Sequence, residues 1–257
     1  SLPFNPLMVD DVDVILHAGG NPSSAISIDK PIQTAYENVL GTVHMLELAR
    51  AKKVEHFVFY GAAESYGQLL GVSEPESSPY DCYSPYAASK ASGSEFTAAY
   101  SRSYGIKASV INIANTFGER CQEDRFPIVA MKKILAGENV PFYSANGVGS
   151  GRRWFHAHDV ALHTRFILDN QKEDFEKWNS SGREFMSNLV FANQLAKVMQ
   201  KPLKWESRSL DPNSHAAKLY SNNIDPDKLY FNGYKEKYSF EERLSQMWEW
   251  YKMSISS

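Results

Sequence analysis

The sequence predicts an α/β protein: a doubly wound parallel sheet covered by helices, followed by a smaller α+β lobe. Three observations predict it. "VDVILHAGG", "HFVFY" and "ASVINIAN" are short apolar runs of the kind that form strands buried on both faces. The stretches between them carry helical periodicity and capping residues. The order strand, helix, strand, helix, strand then favours parallel neighbours joined by right-handed crossovers.

The first strand ends in Gly19 and Gly20, which permit a tight turn. A helix follows from Pro31 to Arg50, with Pro31 at its first position and Ile32, Tyr36, Val39, Val43 and Leu46 spaced as an apolar face. His56 to Tyr60 is the second strand. Ser84 caps the next helix, Pro85 opens it and Gly105 ends it, so Tyr86 and Lys90 stand one turn apart on one face. Ala108 to Asn115 is the third strand, and "FPIVAMKKILAGEN" a further helix.

The character changes near Asn139. "VPFYS", "DVALHTRFILDN", "LVFANQLAKVMQ", "PLKWESR" and a last helix opened by the capping box Ser239 to Glu242 form the smaller lobe. The predicted division is 1–139 and 140–257, with later strands free to return to the first sheet. The aromatic "MWEWYKM" is read as packing.

Against 30 Asp and Glu stand 27 Lys and Arg, a net charge of −3, so there is no electrostatic case for nucleic acid or an anionic membrane. A small molecule or a protein is the expected partner. Cys82 and Cys121 have no second Cys at metal-ligand spacing, and the first residues lack the blocks of a signal peptide; a cytoplasmic setting is expected. His156 and His158 form "HAH" without a nearby third ligand, so no metal is expected.

A Tyr followed four positions on by Lys proves nothing alone: 14 Tyr and 17 Lys in 257 residues give about one such pair by chance. Context decides. "HAGG" after a strand, "ENVLGTVHMLELAR" in the next helix, "ESYG", "YSPYAASK", "NTFG" and "GRRWFHAHDVA" follow in an order that resembles the extended short-chain dehydrogenase/reductase family, the NAD-dependent nucleotide-sugar epimerases and dehydratases. The resemblance covers nearly the whole chain. "SPYAASKASGSEF", "GERCQEDRFP" and Trp154 look most like the nucleotide-diphosphoglucose 4,6-dehydratases.

The resemblance implies a Rossmann-like sheet and a nucleotide-sugar substrate oxidised transiently at C4. Tyr86 is then the base, and the Lys90 ammonium lowers its pKa and contacts the nicotinamide ribose. Glu64 moves a C5 proton, although as a residue it reads equally as a solvated loop carboxylate. His17, Gly19, Gly20 and Asn38 stand with Tyr86 and Lys90 at the cofactor, NAD or NADP, while Asn115 and Arg152 hold the sugar diphosphate.

Three departures qualify this. Ala62 stands where relatives carry Ser or Thr, Ala63 where the dehydratases carry an acid, and Arg153 where relatives usually have Asp. The glycine-rich turn and its acidic partner are not found, so "VDVILHAGG" matches the family's fourth strand and the chain is read as lacking the first half of the Rossmann domain. Weak cofactor binding by this chain alone is therefore expected, as is an apolar sheet edge that invites another chain. The alternative function is a catalytically weak or inactive relative that binds a nucleotide-sugar or a partner. A homodimer is expected through the Pro31 to Arg50 and Tyr86 helices, with Ala87, Ala91 and Gly93 allowing close packing.

Overall fold

The computed structural model describes residues 12–67, 73–145, 148–149, 151–209 and 223–256. Its centre is a four-stranded sheet in the order β1 (Val14–His17), β2 (His56–Ala62), β3 (Ala108–Ile113) and β9 (Phe175–Ser180). All three pairings are parallel, with Ile15 opposite Phe57, Phe57 opposite Ala108 and Ala108 opposite Phe175. β9 comes from the 140–257 segment, so that segment supplies one strand of the main sheet as well as the smaller lobe.

Alternation along each strand sends side chains to opposite faces. Phe57 and Phe59 of β2 pack with Ile15, Leu46, Ala49 and Val110 on the face covered by α3 (Gly41–Lys52) and α4 (Pro85–Tyr104). Val58 packs with Ile111, Trp178, Ile167 of α6 (Ala157–Asn170) and Leu229 of α8 (Asp227–Phe231) on the other. β2 and β3 are buried on both faces as their apolar runs predict. β1 is not: Val14 and Leu16 are exposed, Leu16 by 50%, because α6 and α8 cover the strands beyond it.

The α4 termini follow their local signals. Ser84 Oγ accepts the Ala87 N–H at 3.0 Å, Pro85 sits in the first turn, and Gly105 closes the helix with φ of 67°. Its small residues face inward, which corrects their expected role in a dimer. Ala87, Ala91 and Gly93 are buried within this chain, and a Cβ on Gly93 would lie 2.4 Å from the Phe59 ring of the sheet.

The segment after Pro31 also differs from the even helix predicted. It runs as α2 (Pro31–Ala35), a π-helical turn (Tyr36–Leu40) and α3. Its buried face is polar at first, with Thr34, Asn38 and Thr42, while Ile32 (75% exposed), Tyr36 (63%) and Leu40 face outward. The reason is that the inner face is hydrogen-bonded to the loop after β1 rather than packed on apolar side chains.

The second lobe has its own core, where Ile128 and Met131 of α5 (Phe126–Ala136), Val140 of β5 (Asn139–Ala145), Phe191 and Leu195 of α7 (Asn188–Val198), and Leu244 and Trp248 of α9 (Phe240–Ser256) meet Trp154. The capping box forms: Ser239 Oγ accepts the Glu242 N–H at 3.2 Å and Glu242 Oε2 accepts the Ser239 N–H at 2.6 Å. No described helix is long and apolar enough to cross a membrane.

Gly93→Ala is expected to lower the unfolding free energy in urea by about 1–2 kcal/mol, because overpacking against Phe59 outweighs the helix propensity of alanine. Gly41→Ala, whose new Cβ would meet nothing nearer than the Tyr36 carbonyl at 4.0 Å, should instead raise it by up to about 1 kcal/mol.

Candidate active site

His17, Ala62, Ile113 and Ser180 end the four strands on the same side, where open parallel sheets bind ligands. Beyond β2 the chain makes a 3₁₀ turn (Ala63–Tyr66) that carries Glu64. The first turn of α4 carries Tyr86, and β7 (Gly151–Arg152), paired antiparallel with β10 (Met186–Ser187), carries Arg152.

Glu64, Tyr86 and Arg152 come together. Burial raises the Tyr86 phenol, the Glu64 charge raises it further, and Arg125 partly opposes them. Burial lowers the Arg152 guanidinium to about 10, partly offset by the same Glu64. One carboxylate thus acts on both a phenol and a guanidinium. Its own partner is Ser24 of α1 (Ser24–Asp29), whose hydroxyl donates to Glu64 Oε2 at 2.5 Å. Ser27, one turn on, accepts the Tyr86 backbone N–H at 3.0 Å and donates to the Ser24 carbonyl at 2.7 Å.

Lys90 lies deeper. Its ammonium donates to the Tyr60 carbonyl at 2.6 Å and sits 4.8 Å from the centre of the Phe59 ring, and burial lowers it to about 8. The predicted lowering of Tyr86 by Lys90 is not the outcome in this geometry, since burial and Glu64 dominate the phenol.

His17 is a buried neutral imidazole, lowered to about 4 first by burial and then by the Lys90 charge. Thr42 gives its one hydroxyl proton to the Asn38 carbonyl at 2.6 Å, so in the 3.0 Å contact with Thr42 it is His17 Nε2 that donates. Gly20 has φ of 128°, and a Cβ there would lie 2.5 Å from Asn38 Oδ1. Gly19 has more room, its nearest neighbour being the His17 ring at 3.6 Å.

Asn38 is wholly engaged inside the chain. Its Oδ1 accepts the Asn21 N–H at 2.6 Å, and its Nδ2 donates to the Asn21 carbonyl at 3.1 Å and to Ser89 Oγ at 2.8 Å. It acts on the site through the loop it holds. Asn115 lies just past β3, its carbonyl accepting the Phe155 N–H at 3.4 Å. Arg153 ties three loops together by donating to Asn223 Oδ1, Ser73 Oγ and the Arg183 carbonyl, which accounts for a cation there. His156 caps α6 by accepting the His158 N–H at 3.1 Å, and its Nε2 lies 3.1 Å from Glu119.

The family model for GDP-mannose 4,6 dehydratase matches residues 7–247. The chain belongs to that family. Within the family, it is 27% identical over 255 residues to a dTDP-glucose 4,6-dehydratase of Mycobacterium tuberculosis, covering 95% of this chain and 73% of that one. It is 24% identical to a putative UDP-glucose 4-epimerase of Methanocaldococcus jannaschii, covering 94% and 78%. Among solved structures, a dTDP-glucose 4,6-dehydratase from Streptomyces venezuelae with NAD and DAU bound superposes with a TM-score of 0.85 at 23% identity, over 98% of this chain and 76% of that one. A UDP-N-acetylglucosamine 4-epimerase from Methanobrevibacter ruminantium gives 0.86 at 19%, over 97% and 79%. At those identities the likeness speaks for the fold, a Rossmann-like α/β sheet.

Ser24, Ser27 and Arg125 are site residues that the sequence reading missed. The signal for the serines was the polar "SSAIS" directly after the glycine turn, three hydroxyls opening a helix at the end of a strand.

His17, His56 and His163 are each lowered from 6.5 to about 4, chiefly by burial. The unfolded chain therefore binds more protons across that interval, and stability present above about pH 6.5 is lost as pH falls through about 4. Urea unfolding at a series of pH values should show this loss, and His17→Gln should reduce its slope.

Proposed function

We propose that the chain is an NAD-dependent nucleotide-sugar epimerase or 4,6-dehydratase that works by transient oxidation of the sugar at C4. The observation that carries this is the convergence of Tyr86, Glu64 and Arg152 at the C-terminal ends of a parallel sheet, with Lys90 buried behind them. The names of the relatives support the substrate class and the cofactor.

The residues near Lys90 fit the nicotinamide end of the dinucleotide. An ammonium has three donors and the Tyr60 carbonyl takes one, which leaves donors for ribose hydroxyls. The turn from His17 to Gly20 offers close backbone approach. When bound, NAD supplies the hydride acceptor.

Tyr86 is the proton-transferring group at the C4 oxygen. With its pKa raised it is protonated at neutral pH, the form that returns a proton to C4. Taking a proton from the C4 hydroxyl needs the phenolate, and Arg125 is the positive charge that acts on this phenol in the free chain, with the Lys90 ammonium one helical turn away. Glu64 takes the C5 proton, Arg152 engages the diphosphate through its fork of donors, and Asn115 contacts the same group.

Ala62 and Ala63 favour a second reading, a catalytically weak member. Alanine at 62 removes a positioned hydroxyl worth about 1 kcal/mol in a ground state. Alanine at 63 leaves no acid beside Glu64 for a departing C6 hydroxyl, which suits full water elimination poorly even with Glu64 taking the C5 proton. The outward Ile32, Tyr36 and Leu40, together with Phe96 of α4, support a homodimer through these helices. Free thiols at Cys82 and Cys121 support a reducing, cytoplasmic setting.

Calorimetric titration with NAD, UDP-glucose and dTDP-glucose is expected to show binding of the cofactor and of one sugar nucleotide. Sugar-nucleotide binding without NAD would turn the reading to a binding module. Tyr86→Phe should lower turnover by about 10²–10⁴-fold with sugar-nucleotide affinity kept, whereas the weak-member reading predicts little change. Light scattering should give a dimer, and Tyr36→Glu should shift it to monomer.

A further inference from the structure

We propose that Ser24 is the positioning residue for Glu64, fixing the carboxylate that meets C5 of the sugar. This rests on the reading of Glu64 as the C5 base. Ser24 Oγ donates to Glu64 Oε2 at 2.5 Å across a gap of 40 residues in sequence, from α1 to the turn after β2. Ser24 holds Oε2, and among the described residues Oε1 has no hydrogen-bond partner, which leaves it as the oxygen for proton transfer.

Such a tether has a clear task here. Glu64 follows Ala62 and Ala63, which offer it no side-chain hydrogen bond, the next hydroxyl, Ser65, donates to the Ala87 carbonyl instead, and Arg152 lies close enough to feel the Glu64 charge. Without a second anchor the opposite charge would draw the carboxylate toward the guanidinium and away from the sugar ring. A hydroxyl donating to an ionised carboxylate is a charge-assisted bond of the strong kind.

The hydroxyl is itself held in place. Ser23 Oγ caps α1 by accepting the Ile26 N–H at 3.2 Å, and Asn21 Oδ1 accepts the Ser23 N–H at 3.0 Å. Asn21 is in turn fixed to Asn38 by two hydrogen bonds. Ser27 joins the same helix to the backbone of Tyr86, so α1 sets Glu64 and Tyr86 relative to each other. Pre-organisation of this kind is what proton abstraction from carbon requires.

The step tested is exchange at C5 of a 4-keto sugar. The Glu64 carboxylate takes the C5 proton, forming O–H, and the C–H electron pair moves into a C4–C5 enolate with negative charge on the C4 oxygen. After exchange with deuterium oxide, the carboxyl returns a deuteron to C5. No hydride moves, so a thymidine-diphospho-4-keto-6-deoxyhexose can be supplied to the purified full chain without NAD and C5 deuterium read by mass spectrometry.

Wild type is expected to exchange and Glu64→Gln to stop it. Ser24→Ala should slow exchange at least about tenfold with affinity for the sugar nucleotide unchanged, and Ser24→Thr should stay within about threefold of wild type. Independently of exchange, the Glu64 carboxyl ¹³C resonance of the free chain should move in Ser24→Ala and return in Ser24→Thr. Exchange in Ser24→Ala equal to wild type, or loss that Ser24→Thr does not restore, would overturn the proposal for Ser24 alone. Wild-type exchange that is no faster than Glu64→Gln would overturn the assignment of Glu64 as base, and the role of Ser24 with it.

Discussion

The side-chain amide of Asn38 is the constraint on which the rest of the site depends. From one buried residue on a π-helical turn it reaches the loop after β1 through Asn21 and the first turns of α4 through Ser89, whose hydroxyl donates on to the Tyr86 carbonyl at 2.7 Å. The turn also aims the Asn38 carbonyl at Thr42, which receives the His17 proton. Three elements that share no sequence neighbourhood are thereby locked into one geometry. Each bond contributes about 1 kcal/mol net, but an orphaned buried amide costs about 1–3 kcal/mol, so the cluster holds together or fails together. Gly20 is part of the same constraint, since any side chain there would occupy the space of the Asn38 oxygen.

Around this clamp the site collects charge where water is scarce. Lys90 and Arg152 are displaced toward their neutral forms by burial, so each keeps free energy in reserve for negative charge brought by a ligand, while Tyr86 is held as the neutral phenol, a hydrogen-bond donor. Any anion placed beside Arg152 would restore what the guanidinium lost. An oxyanion beside the Tyr86 phenol would be favoured by a buried donor more than it would be in water. Burial that costs stability in the free chain is, in this sense, selective affinity for charged partners.

Much of this was legible in the sequence where local chemistry decides the outcome. Ser84, Pro85 and Gly105 fix the ends of α4 by capping and backbone preference alone, and the apolar runs at β2 and β3 require burial on both faces. The helix after Pro31 was legible in place but not in orientation. Periodicity identifies an apolar face without saying which body it meets, and here the inner face is a polar ladder while Ile32 and Tyr36 look outward. Ala87, Ala91 and Gly93 show the converse: small residues signal close approach, and only the packing of Gly93 on Phe59 shows that the approach is to this chain's own sheet.

The same distinction governs Tyr86 and Lys90. Tyr86 and Lys90 share a helix face by spacing, yet the ammonium turns to the Tyr60 carbonyl and the phenol answers to a carboxylate 22 positions earlier. Electrostatic partnership depends on what lies across the site, which no spacing rule encodes. Ala62 and Ala63 offer Glu64 no polar side chain at the strand end, while α1 brings the Ser24 hydroxyl to the carboxylate and the Ser27 hydroxyl to the Tyr86 N–H. The hydroxyl beside the carboxylate thus comes from a helix whose leading loop is clamped by Asn38. The site's alignment is therefore tied to the loop after β1 as firmly as to the sheet itself.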